Sequence, residues 1–145
     1  MVLNIIPSMR VVIDTNVIVS ALKSTRGASH KLLLSLPEGK YLPCISVPLF
    51  VEYESVTKRV DLVNHLKPED VDVILNYILS KSSIRKVFYL WRPILKDPKD
   101  DLVLEVAVES QSKYIITFNK KDFKGCEKFG LKAVTPQEFM KKRGM

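Results

Sequence analysis

Arg10-Val11-Val12-Ile13-Asp14-Thr15-Asn16 sets the class of this chain. Four residues, three of them β-branched, run without polar alternation. That suits a strand covered on both faces, as in a parallel sheet. The run ends on a carboxylate. A charge placed directly after a buried strand must be hydrogen-bonded or metal-bound, because burying it bare is costly. The same grammar returns at Lys113-Tyr114-Ile115-Ile116-Thr117, which leads to Asn119. Open α/β sheets hold their ligands beyond the carboxyl ends of the strands. Asp14, Thr117 and Asn119 are therefore the first candidates for a site. The bland alternative is that Asp14 only caps the helix that follows.

Outward from these two strands, helices and strands alternate. Val17 to Leu22 reads as helix, and Ala28 to Leu36 as a second helix stopped by Pro37-Glu38-Gly39. Tyr41 to Ile45 is a strand. A helix starts at Ser46-Val47-Pro48 and runs to about Lys58, and another runs from Pro68 to about Ser80, with acids in its first turn. Arg85 to Leu90 reads as a strand. Asp97-Pro98-Lys99-Asp100 opens a helix to about Ser110, with Asp97 as cap, Pro98 at N1 and Asp100 at N3. Thr135-Pro136-Gln137-Glu138 is a capping box for a last helix that ends in Lys141-Lys142-Arg143. The alternation predicts an α/β fold with a mainly parallel sheet.

A chain of 145 residues is the size of one domain, expected over residues 9–145 after a short leader, 1–8. Neither a signal peptide nor a membrane span is expected, so the cytoplasm is the default location. The two cysteines, Cys44 and Cys126, form no CxxC pair, which argues against zinc and against a disulfide framework. Cys44 is expected as a buried thiol. The net charge of +7 favours polyanionic partners.

Chemistry is expected from acids. In the helix after Ser46, Leu49, Tyr53 and Val56 define a core-facing stripe. Glu52 flanks that stripe and Glu54 points away, so Glu52 is the candidate, set against an edge glutamate reaching solvent. Asp101 and Glu105 are i, i+4 partners whose mutual repulsion a cation would reverse. Glu109 extends the row, so a solvated acidic face competes with that reading. Asp97 and Asp100 have capping roles, which makes Asp101 the better ligand candidate. Clusters of Asp, Glu and Asn favour hard cations such as Mg²⁺ or Mn²⁺, which activate water and neutralise a phosphodiester transition state. Lys23, Arg26, Lys31, Lys58, Arg59, Lys120 and Lys121 lie near these acids in sequence. Dinucleotide, P-loop and serine-hydrolase motifs are missing. His30 and His65 are expected at the surface, and Tyr89 and Trp91 in packing.

Taken together, Val11-Val12-Ile13-Asp14-Thr15-Asn16, Ser46 to Glu52, Asp97-Pro98-Lys99-Asp100-Asp101 followed by Leu102 to Ala107, and Ile115 to Phe123 resemble, in order and spacing, the four motifs of PIN domains. The nearest likeness is to prokaryotic VapC-like toxins of toxin–antitoxin pairs. The resemblance implies a three-layer α/β/α fold with a parallel sheet of about five strands. It also implies an endoribonuclease dependent on Mg²⁺ or Mn²⁺, with Asp14, Glu52 and Asp101 as metal ligands and Asn119 orienting a ligand or water. RNA, an antitoxin protein and a second copy of the chain are the implied partners. The fourth motif often carries Asp where this chain has Asn119, which puts a second metal in doubt and leaves Asp122 as a substitute. Two other readings stand beside this one. One is a non-catalytic RNA- or partner-binding module. The other is a phosphoacceptor domain, whose phosphatase form wants Asp at position 16, where this chain has Asn.

Overall fold

The structure is a computed structural model and describes residues 9–59, 66–87, 95 and 97–145. The expected leader, His65, Tyr89, Trp91 and the second half of the expected strand Arg85 to Leu90 lie outside them. Five strands form the sheet: β1 (Met9–Ile13), β2 (Tyr41–Ile45), β3 (Ser83–Ile84), β4 (Tyr114–Ile116) and β5 (Lys132–Val134). All neighbours pair in parallel, in the order β3-β2-β1-β4-β5. The two apolar runs singled out above are thus adjacent at the centre, in the register Val11↔Tyr114, Val12↔Ile115 and Ile13↔Ile116. Val11, Val12, Ile13, Ile115 and Ile116 are all buried, as strands between two helical layers require.

The helices are α1 (Thr15–Lys23), α2 (Ala28–Leu34), α3 (Val47–Arg59), α4 (Pro68–Ser80), α5 (Pro98–Glu109) and α6 (Pro136–Lys142). The chain steps from β1 to β2 to β3 in one direction, then crosses back through α5 to β4 on the far side of β1. Crossovers between parallel strands are right-handed. Reversing the direction therefore sends α5 to the face opposite the earlier crossovers, and three layers result. β1, β2 and β4 supply the middle of one continuous core, with Leu49 and Tyr53 of α3, Leu75 and Ile78 of α4, Val103 and Leu104 of α5, and Phe139 of α6. Cys44 and Cys126 are free and buried. No helix among the described residues is long and apolar enough to cross a membrane.

Three local readings need correction. Among the described residues the strand before α5 is Ser83–Ile84, because β2 pairs Cys44 with Ser83 and Ile45 with Ile84, and the first half of the expected strand, 85–87, carries no strand. The buried stripe of α3 is Leu49, Tyr53 and Thr57, and Val56 is only half-buried. Thr57 can face the core because its hydroxyl donates back to Tyr53 O at 2.7 Å. The second helix stops at Leu34, and a separate 3-10 turn, Leu36–Glu38, carries the chain to Gly39 in the left-handed region at φ 69°.

Candidate active site

The strand order reverses about β1, so the crevice beyond the ends of β1 and β4 is the switch point of the sheet. Asp14 stands in it. Its backbone N–H donates to Ile116 O at 2.9 Å, extending the β1–β4 ladder by one residue. One carboxylate oxygen, Oδ1, accepts from Thr15 N at 2.8 Å and caps α1. The other, Oδ2, accepts from the Thr117 hydroxyl at 2.8 Å. Asp14 therefore caps α1 and also ties the end of β1 to the end of β4. Burial pushes its carboxyl pKa up, against the Thr117 and Thr15 hydrogen bonds, and nearby Asp122 and Asp97 push it further.

Three flanking groups fix this geometry. Thr117 is fully buried and its hydroxyl also accepts from Asn119 N at 3.0 Å. Asn16 Oδ1 accepts from Phe118 N at 3.4 Å, tying the start of α1 to the loop after β4. Tyr53, buried on α3, donates its hydroxyl to Ile13 O, the residue before Asp14. That bond seats the first half of α3 against the end of β1.

Glu52, next to Tyr53, is only 16% exposed at its side chain and faces Lys99 Nζ of α5 at 3.8 Å. The acids of α5 divide in a way the sequence does not reveal. Asp97 caps α5 by accepting from Lys99 N at 2.9 Å. Asp101 is 2% exposed, so it is no part of a solvated face, and Glu105 is buried as well, leaving only Glu109 exposed. Asp101 Oδ1 accepts from Leu95 N at 3.0 Å, while its Oδ2 is buried with no hydrogen-bond partner. Asp100 is half-buried, and its carboxyl is pushed up to about 7 by burial and then by Asp14, Asp97, Asp122 and Asp101. Asp100 is thus an acid of this crevice that the sequence reading set aside as a helix cap. Asp122 joins the same cluster through its repulsion of Asp14 and Asp100. Asn119 is exposed, and its backbone carries its role, donating to Thr117 and accepting from Asp122 N at 3.0 Å.

Among the described residues, no three acidic, histidine or cysteine side chains converge into a ready-made cation cage. The chemistry of the crevice still fits a hard cation. Every donor is oxygen, an Asp101 oxygen is buried without a partner, and burial together with neighbouring acids raises the pKa of Asp14 and Asp100, a cost that an ion would relieve. Of the basic residues noted in sequence, Lys120 and Lys121 follow directly on Asn119 at this end of the sheet. α1 carries Lys23 about 13 Å away at a rise of 1.5 Å per residue, and Lys58 is paired with Asp72 at 2.6 Å.

A family model described as PIN domain matches residues 10–121. No curated protein matches the sequence at a comparable level. Among solved structures, the crystal structure of VapBC2 from Rickettsia felis bound to a DNA fragment from their promoter is similar, with a TM-score of 0.61 and 17% identity. That match covers 88% of this chain and 98% of the other. At that identity the likeness speaks for the fold.

Proposed function

Because the chain belongs to the PIN-domain family, we propose that it is an endoribonuclease that hydrolyses RNA phosphodiester bonds with the help of Mg²⁺ or Mn²⁺. The observation that carries this reading is that Asp14 and Asp100 lie near one another at the switch point of the sheet, where burial first and then the neighbouring acids, Asp97 and Asp122 among them, raise the pKa values of both. Asp14 and Asp100 are the central ligands in this reading, with Glu52 and Asp101 flanking them. When bound, a divalent ion supplies activation of water and neutralisation of the phosphodiester. Thr117 holds Asp14 in orientation, and Lys99 keeps Glu52 compensated until a cation takes its place. Asn119 adds no charge, which supports one tight metal position over two.

In this reading the protein is the toxin of a toxin–antitoxin pair. The solved neighbour's title names a VapBC2 assembly, which supports an antitoxin protein as partner and leaves a homodimer open to test by sedimentation. A cytoplasmic location follows from such a role. The decisive experiment is cleavage of mixed RNA with Mn²⁺ or Mg²⁺, with EDTA and Asp14→Asn as controls. Cutting that needs the metal and disappears in the variant supports the proposal. Binding of RNA without cutting, unaffected by EDTA, would favour a non-catalytic RNA-binding module.

A further inference from the structure

We propose that Phe118 forms a nucleobase-binding subsite at the mouth of the β1–β4 crevice, stacking an unpaired base beside the phosphate that the carboxylates address. This inference rests on the ribonuclease reading above. The ring stands on the residue between Thr117, which holds Asp14, and Asn119, which opens the next turn. It is 46% exposed, although Thr117 before it is fully buried. The backbone beneath it is held on both sides, by Asn16 Oδ1 accepting from Phe118 N at 3.4 Å and by Asn119 N donating to Thr117 Oγ1 at 3.0 Å. Among the described residues no other aromatic ring packs against it. The other exposed aromatic among the described residues, Tyr77, lines an apolar groove with α1 and α2 instead.

The surroundings point to single-stranded nucleic acid. Lys120 and Lys121 are exposed in the turn that follows, and the Lys120 ammonium is steadied by Glu138 at 3.0 Å. An aromatic face beside lysines is how proteins take unpaired nucleotides: the base stacks and the cations follow the backbone. A stacked duplex offers no free base face at such a ring, so the subsite selects unpaired RNA. Stacking also tolerates any base, so selection by Phe118 is for strandedness more than for sequence.

The test uses the full chain with a single-stranded oligoribonucleotide, and a series in which one abasic residue is walked along it. Affinity is read with EDTA present, and KM and kcat with Mn²⁺. Phe118→Ala is expected to weaken binding roughly 5- to 150-fold, the range of one lost base stack. One abasic position should weaken the wild type equally and leave Phe118→Ala unchanged, and Phe118→Trp should restore affinity. Wild-type affinity and KM in Phe118→Ala would overturn the subsite, as would abasic losses that add to the alanine loss at every position. A variant that binds RNA normally but no longer retains a protein partner would assign the ring to that partner and also overturn it. If the wild-type chain itself neither binds nor cuts RNA, the ribonuclease reading fails first, before any variant is made.

Discussion

At Asp14 two demands meet on one side chain. It caps α1 through one oxygen and is held by Thr117 through the other. Thr117→Val removes that second bond while keeping the shape. Cleavage is expected to fall at least tenfold and stability by roughly 1.5–3 kcal/mol, the worth of the charge-assisted hydrogen bond that is lost; unchanged turnover would show that Asp14 orients itself. Asp100 makes a pH prediction. Its folded-state pKa, about 7, lies above its ordinary 3.8, so ionising it costs the folded state more than the unfolded one. That cost is absent below about pH 4, grows through the window up to about 7, and is full above it. In EDTA the melting temperature should therefore decline as pH rises through that window. Asp100→Asn should flatten the decline, and Mn²⁺ should oppose it; a melting profile unchanged in Asp100→Asn would remove Asp100 from the cluster. Asp14 was legible in sequence because a carboxylate ended an apolar run. Asp100 was not, because a residue at N3 of a helix already has a local explanation. Only the turn of α5 against the crevice separates its side chain from that of Asp101.

At the scale of elements, helix ends were the most readable features. Asp97 with Pro98 and the box of Thr135 with Glu138 occur as their residues imply, because caps are satisfied within a few residues of chain. Thr135→Ala should cost α6 about 1 kcal/mol in denaturant unfolding and leave cleavage untouched, since α6 carries no acid of the crevice. β3 and β5 were harder. β3 is two residues long and β5 three, and only Val134 of the five residues is fully buried. Such edge strands owe their place to the neighbour that pairs them, a contact that periodicity does not record. The link from α3 to β1 runs through the Tyr53 hydroxyl. Tyr53→Phe leaves Ile13 O without that donor in a buried place, so unfolding should become easier by roughly 1–3 kcal/mol. Because Glu52 sits beside it, metal affinity should weaken as well, measured by calorimetric titration with Mn²⁺; an unshifted affinity would separate the α3 anchor from the site.

For the molecule as a whole, a net charge of +7 surrounds an acidic crevice. RNA affinity should fall steeply with salt, with a slope set by the number of phosphates neutralised. A slope near zero would argue for recognition without the backbone. Order along the chain matters too. The hydroxyl that holds Asp14 belongs to a residue 103 positions later, and β1 remains half-paired until β4 arrives. During translation at about 5–20 residues per second, Asp14 waits roughly 5–20 s for its partner. If the ribonuclease proposal holds, the chain is expected to be inert until β4 has been made and paired. Nascent chains arrested before Tyr114 should leave RNA intact, while full-length released chains cut it. On that proposal, the parallel pairing of two distant strands would also act as a timer, holding back the chemistry until the second of them has been made.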